Sequence, residues 1–156
     1  GTTFRIFLPA VAQAAEQTAD RAKPQVRGGT ETVLVVEDEP SVRMLVRAIL
    51  QRRGYTVIEA SSGVEALKLW GAHRERVSLV LTDLVMPDGV SGQELARRLR
   101  ADVPGLRIVF SSGYSSEIAG RELKLGAGEN FLQKPFSADT LSEIVRRALD
   151  TPPAAA

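Results

Sequence analysis

Cysteine is absent from the 156-residue sequence, and histidine occurs once, at His73. Without thiols or paired imidazoles the chain has no disulfide, no Cys nucleophile and no clustered His metal site. No apolar run approaches the ~20 residues that a membrane-spanning helix requires. These absences exclude thiol chemistry and a membrane span within the sequence, and they leave the redox compartment open.

Charges of the two signs nearly balance, with 20 Lys and Arg against 19 Asp and Glu and a formal net charge of +1. Such a chain has no field that would hold nucleic acid or an anionic membrane nonspecifically. Hydrophobic residues account for 44% of the sequence, which is enough to build the core of one ordinary domain. We therefore expect no nucleic-acid or membrane contact by this chain. Any partner is expected to be recognised by a local surface rather than by net charge.

Short apolar runs alternate with segments of helical periodicity. The apolar runs predict strands at residues 32–36, 55–60, 77–83, 106–111 and 130–133. The intervening segments predict helices from Pro40 up to Gly54 and over residues 63–75, 93–101 and 116–125, and Ser137 is predicted to cap a fifth helix. This pattern predicts an α/β fold: a five-stranded parallel sheet in the flavodoxin-like order 2-1-3-4-5, with right-handed crossovers and helices on both faces.

The two ends of the chain differ from this pattern. Residues 1–9 alternate apolar and polar side chains up to a proline, which predicts one further strand. Residues 10–30 have little apolar periodicity, which predicts a flexible linker with at most a transient helix. We expect the ordered domain to cover residues 31–150 and residues 151–156 to form a disordered tail.

Chemically active side chains occur at the carboxyl ends of the predicted strands. Glu37 and Asp38 follow the first strand, Asp83 ends the third, Ser112 follows the fourth and Lys134 follows the fifth. Ligands of open parallel sheets bind at this edge, so we expect these groups to form one site. Three carboxylates in one pocket repel each other unless they share a hard cation, which indicates Mg²⁺. A nearby amine and hydroxyl suit a tetrahedral anion, so the set predicts phosphoryl transfer to an aspartate.

Several of these residues also have a simpler interpretation. An isolated Asp at a strand end usually caps a helix or forms a turn, and only its neighbours favour a chemical role for Asp83. Glu37 and Asp38 could cap the first helix, and Glu39 is predicted to do only that. Lys134 could be a surface lysine, and Ser112 precedes a glycine, as is common in turns. The Arg97-Arg98 and Arg146-Arg147 pairs are interpreted as solvated helix faces.

Four segments together resemble the receiver domain of two-component signalling proteins, of the kind attached to hybrid histidine kinases. In chain order they are Val33-Leu34-Val35-Val36-Glu37-Asp38-Glu39, Leu81-Thr82-Asp83-Leu84-Val85-Met86-Pro87, Ser112-Gly113-Tyr114 and Lys134-Pro135-Phe136. The combination is far more specific than any one segment, and the resemblance covers residues 31–150. It implies the CheY-like form of the flavodoxin-like fold.

The resemblance also implies roles for the acidic residues. Asp83 would be the phosphoacceptor, and it would take a phosphoryl group from a phosphohistidine. Glu37 and Asp38 would be the acidic pair that holds Mg²⁺, together with Asp83 and the backbone carbonyl of Val85. The first acidic position carries Glu37, a variant that the family tolerates.

The remaining site residues match the family at the fourth and fifth strands. By the resemblance, Ser112 and Lys134 would contact the phosphoryl group, and Ser112 stands where Thr is also common. Phe131, three residues before the lysine, falls where the family carries an aromatic switch residue that is often Tyr. Because Phe131 has no hydroxyl, rotamer switching together with Ser112 would depend on packing alone.

Residues 1–9 resemble the closing strand of a histidine kinase ATP-binding domain, in which a Gly-Thr-x-Phe motif precedes a strand ending in Leu-Pro. This implies that the chain is the carboxyl-terminal piece of a hybrid kinase, cut inside its catalytic domain and without a nucleotide pocket. The expected location is cytoplasmic, with any membrane anchor of the parent kinase upstream. The expected partners are the phosphohistidine-bearing dimerisation domain of a histidine kinase and a histidine phosphotransfer protein.

Three alternative functions differ from this prediction in one feature each. A haloacid-dehalogenase-like phosphatase has a second carboxylate two residues after its Asp, where this sequence has Val85. A flavodoxin-like FMN binder has a hydroxyl-rich loop after the first strand, where residues 37–39 would repel the phosphate. A receiver that acts as a docking module without phosphorylation shares the whole fold, and magnesium titration separates it from a phosphoacceptor.

Overall fold

The computed structural model describes residues 1–5, 7, 27–86, 89–113 and 131–152 of the chain. Within these residues the strands are β1 Thr32–Val36, β2 Thr56–Ala60, β3 Val77–Asp83, β4 Arg107–Ser112 and β5 Phe131–Gln133. The helices in the same part of the chain are α1 Pro40–Arg52, α2 Gly63–His73, α3 Gly92–Asp102 and α4 Ala138–Asp150. The predicted alternation of strand and helix is confirmed in these segments.

The five strands form one parallel sheet in the order β2-β1-β3-β4-β5. The predicted α/β fold with the flavodoxin-like, CheY-like order 2-1-3-4-5 is therefore confirmed. The chain adds β2 on one side of β1 and then crosses to the other side to form β3. The carboxyl ends of β1 and β3 consequently lie side by side at the switch point, which is where sheets of this kind bind ligands.

Helices cover both faces of the sheet. Successive residues of a strand point to opposite faces, so Leu34 and Val80 pack with α2 and α3, whereas Val33 and Leu79 pack with α1 and α4. All four side chains are at most 1% exposed. Burial on both faces requires an apolar residue at nearly every position, and this explains the continuous apolar runs of β1 and β3.

Each helix in the described part of the chain begins after a polar residue whose side chain accepts a hydrogen bond from a backbone N–H of the first turn. These capping residues are Glu39, Ser62, Ser91 and Ser137. Such caps satisfy donors that have no partner inside the helix, and each typically contributes about 1 kcal/mol. The predicted caps Glu39 and Ser137 are confirmed. Helix α3 begins at Gly92, one residue earlier than predicted, because Ser91 caps it.

No helix among the described residues is long and apolar enough to cross a membrane.

Some predicted segments lie outside the described residues. They are residues 10–26 of the linker, residue 130, the helix over residues 116–125 and residues 153–156 of the tail. At the amino terminus, residues 1–5 and 7 are described, and they are exposed and outside any strand. The assignment of residues 1–9 to a kinase ATP-binding domain, and of residues 10–30 to a linker, therefore stays a prediction.

Arg146 connects the last turns of α4 to the residue before β1. Its guanidinium pairs with Glu31 at 2.9 Å and with Asp150 at 2.8 Å, and it donates to the hydroxyl of Tyr55 at 3.4 Å. Hydrogen bonding from Arg146 holds the pKa of Glu31 below its usual value. Only 17% of the Arg146 side chain is exposed, so its interpretation as part of a solvated face is wrong.

Candidate functional site

Glu37, Asp83 and Lys134 meet at the carboxyl edge of the sheet. Glu37 directly follows β1, Asp83 ends β3 and Lys134 directly follows β5. The backbone ladder continues past the strand ends, since the N–H of Glu37 donates to the Ala60 carbonyl at 3.1 Å and that of Lys134 to the Ser112 carbonyl at 2.8 Å. These bonds hold the backbone of the site residues in register with the sheet.

Lys134 contacts two carboxylates at once. Its Nζ lies 2.6 Å from Oδ2 of Asp83 and 2.7 Å from Oε2 of Glu37. The side chains are 22% exposed for Lys134, 13% for Asp83 and 5% for Glu37. Short hydrogen bonds between charged groups are about twice as strong as neutral ones. The structure therefore brings the predicted phosphoryl contact, Lys134, next to the predicted phosphoacceptor, Asp83.

Burial and charge pairing oppose each other at this site. Burial raises the pKa of Glu37 above its ordinary value, and the ammonium of Lys134 offsets only part of this effect. Burial also disfavours the charged form of Lys134, but hydrogen bonds to Asp83 and Glu37 outweigh it and raise the lysine pKa. The lysine is thus held charged, while the buried carboxylate of Glu37 still lacks part of the positive charge that would stabilise it.

Asp38 completes a group of three carboxylates. One oxygen each of Glu37, Asp38 and Asp83 lies within 4.8 Å of the other two, and Asp38 is the most exposed of the three. When all are ionised, Lys134 leaves two negative charges of this group uncompensated. Carboxylate oxygens supplemented by water are the ligands that Mg²⁺ prefers. These residues therefore fit a hard divalent cation in both charge and chemistry.

The loop after β3 folds back onto Asp83. The N–H of Val85 donates to Oδ1 of Asp83 at 3.2 Å, and the N–H of Leu84 donates to the Ser111 carbonyl at 2.9 Å. Val85 is 61% exposed, whereas Met86 is buried and anchors the loop. The structure thus places the backbone of Val85 beside the site, and the role of its carbonyl as a metal ligand stays a prediction.

Gly92 allows the first turn of α3 to lie against the backbone of Asp83. A Cβ at this position would overlap the Asp83 carbonyl oxygen, and the N–H of Gly92 donates to the Leu84 carbonyl at 3.1 Å. Because the opposing atoms are backbone, we expect Gly92→Ala to lower the free energy of unfolding by about 1–3 kcal/mol. Urea denaturation measures this change.

Gly71→Ala is the matched control for the Gly92 variant. Gly71 lies in α2, and a Cβ at this position would meet nothing within 4 Å. Since alanine is the better helix former, Gly71→Ala is expected to stabilise the domain by up to about 1 kcal/mol. If Gly92→Ala unfolds at the same urea concentration as the wild type, the close approach of α3 to Asp83 is not required.

Ser112 lies on the strand next to Asp83, and Phe131 lies one strand further. The register pairs Asp83 with Ser111, so Ser112 is one residue beyond that level, and its side chain is buried. Phe131 pairs with Phe110 and packs in the cluster on the side of α2 and α3. The phosphoryl contact of Ser112, and the switch role of Ser112 and Phe131, stay predictions.

Arg43 contacts the site although the pattern of strand ends does not single it out. Its Nη1 donates to the carbonyl oxygens of Glu37 at 2.6 Å and of Asp38 at 3.3 Å. In the sequence it is one of several arginines along α1. The one feature of the sequence that could have indicated its contact with the site is its position about one helical turn after the acidic residues. That signal is too weak to distinguish it from a solvated arginine.

Comparison with known proteins identifies the family to which this geometry belongs. The family described as response regulator receiver domain matches residues 33–146. The sensor kinase CckA of Brucella abortus is 41% identical over an alignment of 160 positions, and this alignment covers 96% of this chain and 17% of that kinase. The chain belongs to the response regulator receiver domain family of two-component signalling proteins.

Solved structures of this family share the fold. The receiver domain of the hybrid histidine kinase CckA superposes with a TM-score of 0.64 at 34% identity, covering 76% of this chain and 99% of that domain. The response regulator TrrA from Thermotoga maritima, solved in complex with Mg²⁺-BeF, superposes with a TM-score of 0.67 at 34% identity and the same coverage. The chain therefore corresponds to nearly the whole of each solved receiver and to about a sixth of the CckA kinase.

Proposed function

We propose that this receiver domain takes a phosphoryl group from a phosphohistidine onto the carboxylate of Asp83. The observation that carries the proposal is the pairing of Lys134 with both Asp83 and Glu37, where three carboxylates converge. A carboxylate is a competent nucleophile toward phosphorus, and an adjacent ammonium stabilises the charge on the phosphoryl oxygens. In this proposal Asp83 is the acceptor, and Lys134, which contacts it at 2.6 Å, is the electrostatic stabiliser.

Mg²⁺ is the cofactor in this proposal. Glu37, Asp38 and Asp83 would hold it, with the backbone carbonyl of Val85 as a further ligand. When bound, the cation offsets the negative charge of the carboxylates and of the phosphoryl group. The excess of negative charge in the cluster supports this assignment, as does the similarity to TrrA, which was solved with Mg²⁺-BeF.

The transfer itself is an in-line displacement at phosphorus. One oxygen of Asp83 bonds to phosphorus, the bond from phosphorus to the histidine nitrogen breaks, and the departing nitrogen keeps the electron pair. The N–H of Val85 orients Oδ1 of Asp83, and Lys134 orients Oδ2. Lys134 then exchanges its contact with Asp83 for one with a phosphoryl oxygen. Ser112 is the second donor in the proposal, and its movement, with repacking of Phe131, shifts the population to the signalling state.

The proposed partners are the phosphohistidine-bearing domain of a histidine kinase and a histidine phosphotransfer protein. The similarity to the sensor kinase CckA over 96% of this chain supports a hybrid kinase as the parent protein. In this proposal the receiver works in the cytoplasm, and any membrane anchor belongs to other segments of the parent kinase.

The proposal is tested by recording the backbone amide spectrum of the chain with Mg²⁺ and then with added beryllofluoride, a phosphoryl mimic. Mg²⁺ is expected to shift the amides of residues 37–39 and 83–85, and beryllofluoride is expected to extend the shifts to Ser112 and Phe131. Potassium chloride at equal ionic strength is the control and should shift neither group. Absence of any response to Mg²⁺ and beryllofluoride would contradict the proposal and favour a docking module that works without phosphorylation.

A further inference from the structure

We infer that Arg43 is a positioning residue that sets the orientation of the acidic pair Glu37 and Asp38. The inference rests on the proposed function and adds a residue to it. Arg43 lies near the start of α1, and its guanidinium turns back toward the loop that connects β1 to α1. One nitrogen, Nη1, donates to two successive carbonyl oxygens, at 2.6 Å for Glu37 and 3.3 Å for Asp38.

These two carbonyl groups lie where the chain leaves the sheet. β1 ends at Val36, and the Glu37 N–H still donates to the Ala60 carbonyl across the ladder. Beyond this point the loop needs other partners for its peptide groups, because buried carbonyls without hydrogen bonds are costly. Arg43 supplies that partner. By binding two successive carbonyls it restrains the peptide units from which both carboxylate side chains project.

Glu59 of β2 also lies near the guanidinium of Arg43. Its Oε1 lies 3.8 Å from Nε of Arg43, while its Oε2 lies 2.8 Å from Nη1 of Arg47, about one turn further along α1. The Arg43 side chain is 19% exposed, against 45% for Arg47. Arg43 is therefore held between a strand carboxylate and the acidic loop, whereas Arg47 shares only the carboxylate contact and is more open to solvent.

The charge of Arg43 and its positioning role predict opposite effects on metal binding. Removing a cation that contacts the backbone of the acidic loop strengthens the attraction of the site for Mg²⁺. Removing a restraint on the loop weakens Mg²⁺ binding, because ligands that are not held in place must be ordered when the ion binds. The direction in which Mg²⁺ affinity changes when Arg43 is replaced therefore distinguishes the two roles, whatever the size of the change.

The test is calorimetric titration of Mg²⁺ into wild-type, Arg43→Ala and Arg47→Ala chains. We expect Arg43→Ala to bind Mg²⁺ about tenfold more weakly, as is typical when a residue that orients metal ligands is lost. Arg47→Ala also removes one positive charge and a contact with Glu59, the 2.8 Å contact of Nη1 with Oε2, but it leaves the contacts to the two carbonyls, so its affinity should stay within about twofold. Arg43→Lys, which keeps a positive charge and N–H donors on a single nitrogen, should recover part of the loss.

A second readout does not need the metal. Amide hydrogen exchange of residues 37–39, measured without Mg²⁺, should become faster in Arg43→Ala and stay unchanged in Arg47→Ala. Urea denaturation establishes that the variants are folded. If Arg43→Ala does not fold, Arg43→Gln takes its place, with the same expected direction.

The outcomes separate this inference from the proposed function. If the wild type binds Mg²⁺ and Arg43→Ala binds it equally or more tightly, Arg43 is not a positioning residue, and the proposed function stands. If the wild type itself binds no Mg²⁺, the proposed metal site fails, and the inference is overturned with it. If Mg²⁺ binding is weaker in Arg43→Ala but not in Arg47→Ala, and amide exchange at residues 37–39 is faster in Arg43→Ala, the results support both the positioning role of Arg43 and the proposed function.

Discussion

The Asp83→Asn variant is expected to form no alkali-labile phosphoryl adduct when it is incubated with Mg²⁺ and a small phosphodonor such as acetyl phosphate. The amide keeps nearly the shape of the carboxylate, but it is uncharged and is a poor nucleophile toward phosphorus. The variant also weakens the 2.6 Å contact between Asp83 and Lys134, although the pair of Lys134 with Glu37 remains. The measurement is the intact mass of the protein before and after treatment with mild alkali, which hydrolyses acyl phosphates.

Asp102→Asn is the matched control for this experiment. Asp102 ends α3, pairs with Arg74 and accepts a hydrogen bond from Nε1 of Trp70, and Asp102→Asn removes one negative charge at a carboxylate outside the acidic cluster. The control is expected to be labelled like the wild type. An alkali-labile adduct that persists in Asp83→Asn would show that another residue is the acceptor. Loss of the label in both variants would show that the effect is not specific to Asp83.

The Lys134→Ala variant is expected to separate metal binding from phosphoryl transfer. Loss of a preorganised donor to developing negative charge typically slows a reaction by about 10²–10³-fold, and we expect a decrease of this size in adduct formation at saturating Mg²⁺. Mg²⁺ affinity should rise, because the ammonium that contacts Asp83 and Glu37 no longer competes with the cation. The rate is followed by intact mass and the affinity by calorimetry.

Two further variants support the interpretation of the Lys134 result. Lys68→Ala removes an exposed lysine from α2 and should change neither the rate nor the affinity. Lys134→Arg keeps the positive charge and is expected to react at an intermediate rate, since the guanidinium is wider than an ammonium. A Lys134→Ala rate within about threefold of the wild type would mean that Lys134 only balances charge in the resting site, because a direct donor contributes more than that.

The pH dependence of stability provides an additional check on Lys134→Ala. Burial already raises the pKa of Glu37, and Lys134 is the group that partly offsets this effect. A carboxyl group with a raised pKa in the folded state binds its proton more tightly there, so the contribution of Glu37 to stability decreases as pH rises from about 4.5, the pKa of the unfolded group, through its raised pKa in the folded state. Without Mg²⁺, we expect this decrease to be steeper in the variant than in the wild type. Equal slopes would show that Lys134 does not stabilise the ionised form of Glu37.

Much of the fold follows from local patterns in the sequence. The continuous apolar runs of β1 and β3 predict strands buried on both faces, and the alternation with helical periodicity predicts a parallel sheet in the order that the structure shows. The parallel arrangement then places Glu37, Asp83 and Lys134 at one edge. The close contact of Lys134 with Glu37, 97 residues earlier in the chain, agrees with that expectation.

The local sequence pattern around an arginine does not show whether its side chain is solvated. Arg97 is exposed and pairs with Glu94 one turn earlier in α3, as a solvated helix face predicts. Arg146 has the same local pattern, yet it is largely buried against Glu31 and donates to Tyr55, 91 residues earlier in the chain. Arg43 likewise contacts two backbone carbonyls and lies near Glu59, and its local sequence does not predict these contacts.

The sequence by itself thus determined the elements, their order in the sheet and the edge that carries the charged groups. Periodicity records which side of an element is buried, and the parallel sheet aligns the strand ends, so these features need no knowledge of side-chain contacts. Only the tertiary structure decided that Arg146 pairs with Glu31, that Gly92 lies against the backbone of Asp83, and that Arg43 contacts the acidic loop. Such contacts join residues of separate elements. Which arginine of a helix makes them depends on how those elements pack against each other, and the local sequence does not contain that information.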